Sequence, residues 1–281
     1  MTPRPAGRPT HRPPRALVGT SGWSYEGWRA GLYAGVPRAR WLAHYASLFD
    51  SVEVNASFYH SLAPSTYAAW REQTPPGFRF AVKGSRYVTH VRKLHDPAEP
   101  VARQRAAASR LGDKLFAVLW QLPAGLHRHD DLLAGFVAAL AAWRGPRHAI
   151  EFRHASWFAP EVAELLARGR VASVISDAAD WPRWDEVTTD LAYVRLHGHD
   201  ATYWSAYSDA ALAGWAARIR RWLAEGRDVA VYFDNTDAGH APRDAARLAA
   251  MLRGPGARRR SAPSPSSPAA AARSRSSRSR P

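Results

Sequence analysis

The stretch Tyr193-Val194-Arg195-Leu196-His197-Gly198-His199 decides how this 281-residue chain is read. Val194 and Leu196 alternate with Arg195 and His197, the period-two pattern of a strand with one apolar and one polar face. Gly198 then turns the chain. A guanidinium and an imidazole on one face of a strand are costly to bury without partners. The pattern recurs: Val52 and Val54 alternate with Glu53 and Asn55, and Ile150 and Phe152 with Glu151 and Arg153.

Working outward, short apolar runs predict strands over 16–21, 50–55, 78–83, 115–121, 148–153, 171–177, 191–197 and 228–235. Helical spacing lies between most of them. Pro37 opens a segment with Trp41, Leu42, Tyr45, Leu48 and Phe49 on one face, and Pro64 and Pro160 open two more. Residues 97–111 suit a helix, as do Leu132 to Trp143. Ser208 caps a helix that Gly226 ends, and a last helix stops at Gly254. Residues 178–190, rich in Trp, Pro and Asp, are expected to be irregular. Eight strands mostly alternating with helices predict one α/β domain over 16–254, a (β/α)8 TIM-barrel-like fold rather than an open doubly wound sheet.

Composition bounds the rest. The chain is 46% hydrophobic with 12 Trp and no Cys, which supports a large core and excludes disulfides, thiolate metal sites and cysteine nucleophiles. No apolar run is long enough to span a bilayer and the Pro/Arg-rich start has no apolar signal core, so a cytoplasmic location and no membrane partner are expected. The formal charge of +15 is concentrated at the ends. Residues 1–15 carry four arginines and 255–281 carry seven, with no acid in either, which leaves the body only mildly basic. Both segments are expected to be disordered arms, able to contact nucleic acid non-specifically by counterion release.

In such a barrel the site lies at the C-terminal ends of the strands. Those ends read Thr20, Glu53 and Asn55, Lys83, Gln121, Glu151 and Arg153, Asp177, Arg195 and His197, and Asn235. Three acids face three bases, so the groups are expected to pair. The bland alternative is an ion-pair layer that merely plugs the mouth, which apolar side chains would do at least as well. Glu151, Asp177 and His197 are candidate ligands for a divalent metal. Glu53 and Glu151 are candidate acid/base catalysts, with His197 as proton shuttle or ligand. Lys83, Arg153 and Arg195 are candidate clamps for a phosphate or carboxylate, the preferred reading. Trp23, Tyr25, Trp28, Tyr59, Trp157, Trp181, Trp184, Tyr203 and Trp204 crowd the same loops; about half are expected in the core and the rest free to stack on a sugar or base.

Several of these motifs resemble the YecE-like family, domain of unknown function 72. They are Gly19-Thr20-Ser21-Gly22-Trp23-Ser24-Tyr25, Val52 to Tyr59, Lys83 with Thr89-His90, Gln121-Leu122-Pro123, Glu151 to Phe158, Val194 to Gly198, and Phe233-Asp234-Asn235 with Gly239-His240-Ala241. The resemblance spans residues 17–253 and implies a (β/α)8-like barrel without an established reaction. Asp234 and Asp244 depart from the expected Asn and add negative charge near the mouth. The expected function is binding of an anionic small molecule, with acid/base hydrolysis or isomerisation; the alternative is a nucleic-acid-binding or -processing barrel. His90, in the Thr89-His90 motif, joins the binding candidates.

Overall fold

In the computed structural model, residues 12–253 are described, apart from Ala238. The arms expected over 1–15 and 255–281 therefore fall largely outside the described residues. Residues 12–15 do not: the Arg12 guanidinium and the Arg15 backbone N–H both donate to Asp228, at 3.0 and 2.8 Å.

The eight strands are β1 (Ala16–Thr20), β2 (Ser51–Val54), β3 (Arg79–Lys83), β4 (Leu115–Gln121), β5 (Arg147–Glu151), β6 (Val171–Asp177), β7 (Leu191–Leu196) and β8 (Asp228–Phe233). All pair in parallel, β1 with β8 and then each with its predecessor down to β2. A bridge between Ser21 and Glu53, with Gly22 N–H donating to the Glu53 carbonyl at 2.7 Å, closes the ring between β1 and β2. Gly19 makes that approach feasible, since a Cβ there would sit 2.0 Å from the Ser51 carbonyl oxygen.

Outside the ring lie α1 (Trp41–Leu48), α2 (Ala56–Tyr59), α3 (Pro64–Glu72), α4 (Ala98–Ala108), α5 (Asp130–Leu140), α6 (Pro160–Arg168), α7 (Asp209–Ala224) and α8 (Ala241–Arg253). Ser208 caps α7, its hydroxyl accepting from Ala211 N–H at 3.1 Å. Between β6 and β7 the chain is irregular, as its composition predicts. No described helix is long and apolar enough to cross a membrane.

The core has two layers. Val52, Val54, Val82, Ile150, Val194 and Leu196 face outward, against the helices. Leu17, Ala81, Phe116, Leu119, Ala149, Ala172, Val174, Tyr193 and Tyr232 fill the interior. This alternation also fixes which residues at the strand ends point into the mouth.

Candidate functional site

Arg195 is fully buried at the centre of the mouth. Its Nε and Nη2 donate to Glu53, the shortest contact being 2.8 Å, and Nη1 donates to Glu151 at 2.8 Å. Nη2 also reaches Asp234 and the Ser21 hydroxyl at 2.8 and 3.1 Å. Nη1 lies 3.3 Å from His197 Nε2. Arginine carries only donors, so this contact needs an Nδ1–H tautomer of His197. Its Nδ1 then faces Asp234 Oδ2 at 3.1 Å, within ion-pair distance but off the hydrogen-bonding angle.

The two glutamates beside Arg195 are saturated. Glu53 also accepts from the hydroxyls of Ser21 and Tyr193, at 2.5 and 2.6 Å. Glu151 accepts from Arg153 Nε and Ser176 Oγ, at 2.5 and 2.8 Å. Burial would raise the Glu151 carboxyl, but Arg153 and Arg195 hold it well below the usual range. Asp234 is likewise held low, against its burial, chiefly by Arg195. Glu151 and Asp234 therefore stay ionised. Arg195 is held well above its ordinary value by Glu151, Glu53 and Asp234, again against burial.

Lys83 differs from these groups. It ends β3 at 8% exposure, with Nζ 4.3 Å from the centre of the Phe58 ring. Among the described residues Nζ has no hydrogen-bond acceptor and no carboxylate within ion-pair distance. Burial, with help from Arg195, brings its amine down to about 8. Among the described residues Arg153 has Glu151 as its one carboxylate, and it lays its guanidinium 3.4 Å over the Trp181 ring. Trp181 and Tyr203 pack edge-on against His197, at 4.6 and 5.8 Å between ring centres. They come from the irregular β6–β7 segment and from the loop after β7. His90 lies on a π-helix, Tyr87–Val91, where it bonds Thr89 and packs against Phe58. Burial, together with Lys83, Arg86 and Arg153, pushes it down to about 4. It is therefore neutral near pH 7.

Glu53, Glu151, Arg153, Arg195 and His197 thus form one network. Asn55 joins it through a 2.9 Å bond to Ser21, and Gln121 shares the inward parity of Ala117 and Leu119. Lys83 and His90 stand beside the network, around Phe58. Three expectations fail by one residue. Thr20 turns outward to Tyr45 at 2.9 Å, and Ser21 takes the mouth position. Asp177 turns to Tyr207 and Arg183, at 2.9 and 3.2 Å, and Ser176 replaces it. Asn235 turns to Ser205 and Asp244, both at 2.9 Å, and Asp234 replaces it. Interior Leu17, Val174 and Tyr232 give the inward parity to Ser21, Ser176 and Asp234, one residue away from Thr20, Asp177 and Asn235.

With Asp177 turned away, Glu151, Asp177 and His197 are not brought together as a metal set. Among the described residues no group of three or more His, Cys, Asp or Glu has an arrangement to hold a metal. Trp157 is fully buried, stacking on Phe152 and donating to the Leu126 carbonyl at 2.7 Å, so it is core. Trp23 packs edge-on against Trp70. Tyr59 points to solvent at 64% exposure, and its neighbour Phe58 is the ring that meets Lys83.

The model of the family described as protein of unknown function DUF72 matches residues 17–269. The chain belongs to this family. UPF0759 protein YunF of Bacillus subtilis is 25% identical over 242 residues, covering 75% of this chain and 86% of the relative. UPF0759 protein YecE of Escherichia coli is 30% identical over 155 residues, 54% of each chain. A DUF72 family protein from Thermotoga maritima superposes with a TM-score of 0.77 at 27% identity, covering 85% of this chain and 100% of the other. One from Enterococcus faecalis, at 20% identity and TM-score 0.74, covers 85% of this chain and 95% of the other and shares the fold. The DUF72 match runs past residue 253 into the Ser/Pro/Ala/Arg segment.

Proposed function

We propose that the mouth of this DUF72 barrel binds an anionic small molecule, phosphorylated or carboxylated, above the neutralised Arg195 layer. The observation that carries this reading is Lys83: a nearly buried amine at a barrel mouth, beside Arg153, with no carboxylate of its own. Arg195, fully matched by Glu53, Glu151 and Asp234, is the floor of the site rather than a clamp. Lys83 and Arg153 hold the anion, and neutral His90 offers a hydrogen bond at the side.

Turnover, as hydrolysis or isomerisation, then runs through His197. Its Nε2 faces Arg195 and its Nδ1 faces Asp234, and Trp181 and Tyr203 cover it. Glu151, held ionised, is unsuited to donate a proton near neutral pH. Glu53 and Glu151 act in this reading as positioning residues for Arg195 and His197. The test is calorimetry with a panel of sugar phosphates and small carboxylates. A panel member is expected to bind the wild type and to bind Lys83→Met at least about tenfold more weakly, the worth of one charged hydrogen bond. Equal binding to both proteins rejects the clamp.

A nucleic-acid segment on the same rim is the second reading, favoured by the exposure of Tyr59, Tyr87 and Trp204 at 64%, 45% and 61%. These rings follow β2, β3 and β7 on the mouth face, where bases could stack. It predicts oligonucleotide binding that weakens when Tyr59 and Trp204 are changed to Ala.

A further inference from the structure

The opposite end of the barrel carries a charge pattern that the mouth does not explain. Leu17, Ala81, Ala149 and Ala230 face the interior. The residues two positions earlier, Arg15, Arg79, Arg147 and Asp228, share that parity at the N-terminal ends of β1, β3, β5 and β8. Arg15 and Arg147 both lie over the inward ring of Phe116, at 5.5 and 5.2 Å. Arg12 joins them from the preceding segment.

The carboxylates there are too few for these cations. Asp228 meets Arg147 Nη1 and Arg12 Nη2 at 2.8 and 3.0 Å and also accepts from the Arg15 backbone N–H. Asp190 reaches Arg147 at 3.5 Å from an exposed position. Arg79 turns its Nη1 to the carbonyls of Pro76 and Phe78, both at 2.9 Å. Among the described residues, four guanidinium groups therefore meet two carboxylates. Arg15 Nε is buried with no acceptor among the described residues, and Arg147 Nη1 is near Asp228 without hydrogen-bond alignment. Burial and the neighbouring Arg12, Arg79 and Arg147 depress even the Arg15 guanidinium, to about 10. An unmatched buried donor is costly, and guanidinium forks match phosphate oxygens in pairs.

We propose that the N-terminal end of the barrel is a second anion site, which takes a phosphate group between Arg15 and Arg147 with Arg12 at its edge. Along β5 it lies roughly 13 Å from Glu151, by the rise of a strand, so the two sites are separable by mutation. Asp228 occupies the cations in the absence of ligand and competes with the incoming anion.

The test uses the full chain with inorganic phosphate and with an oligodeoxythymidylate, read by calorimetry and by the Arg Nε–H resonances. Phosphate is expected to shift the Arg15 Nε–H signal. Arg15→Gln and Arg147→Gln should weaken binding about tenfold or more. The half-exposed Arg12→Gln, which leaves the fold intact, should weaken it severalfold, and Asp228→Asn should strengthen it. Lys83→Met should leave the phosphate-induced shift of the Arg15 Nε–H signal unchanged, whatever it does to phosphate held at the mouth. The same variant pattern with the oligonucleotide assigns the phosphate to a nucleic-acid backbone; a response to phosphate alone assigns it to a free phosphate or ester. No phosphate binding, or binding indifferent to Arg12, Arg15 and Arg147, overturns the proposal.

Discussion

Arg195 directs its donors to three carboxylates, a hydroxyl and an imidazole, which is why a strand with a polar inner face can be buried. Removing one partner leaves uncompensated charge. Arg195→Met is therefore expected to lose about 3–5 kcal/mol of stability, measured by urea unfolding; a loss under about 1 kcal/mol would mean that the layer is not held together by that pairing. Lys83 gives a second prediction. Its charge is present below pH 8 and disappears as pH rises through about 8. Affinity for an anionic ligand should then fall across that pH, and in Lys83→Met the fall should be absent.

The elements explain why much of the site was legible. Glu53, Lys83, Glu151, Arg195 and His197 were read with the correct parity because each is flanked by clear outward apolar residues such as Val52, Val82 and Val194. The reading failed on β1, β6 and β8, where small or mixed residues at the strand end hide which face is inward, and one step of register turns the side chain around. Side-chain saturation was not legible at all, since it depends on residues far apart in sequence, such as Tyr193 on Glu53. Gly19→Ala is expected to loosen the β1–β2 closure, with a loss of at least about 2 kcal/mol from overpacking, seen as a lower midpoint in denaturant; an unchanged midpoint would show that β1 can move away. His148 joins β4, β5 and the turn after α5 as a neutral ring, accepting from Trp120 Nε1 at 3.2 Å and facing the Trp143 carbonyl at 3.1 Å. Burial brings it from 6.5 down to about 4. The unfolded chain takes up this proton near pH 6.5 and the folded one near pH 4. Stability should therefore fall as pH drops through that window, by up to about 1.4 kcal/mol per pH unit. A flat profile of unfolding free energy between those values would contradict the assignment.

At the scale of the whole molecule, the eight-stranded barrel was legible because strand and helix periods alternate along the chain, while the charge distribution has to be read in three dimensions. The mouth is near neutrality around Arg195, and the N-terminal end carries an excess of arginine. The Arg-rich segment 255–281 adds a further cationic stretch in sequence. Deleting residues 255–281 is expected to lower oligonucleotide affinity and flatten its salt dependence, while leaving the binding of a mouth ligand unchanged. Loss of the mouth ligand on that deletion would tie the two regions together.

The chain has three lysines, Lys83, Lys93 and Lys114, so an anion held by Lys83 can be detected at that side chain directly. Acetylation by dilute anhydride at pH 8, followed peptide by peptide in a mass spectrometer, reads Lys83 against exposed Lys93. Lys83 is expected to react, and a phosphorylated or carboxylated panel compound to slow Lys83 while leaving Lys93 unaffected. A Lys83 rate that no compound changes would contradict an anion site at the mouth.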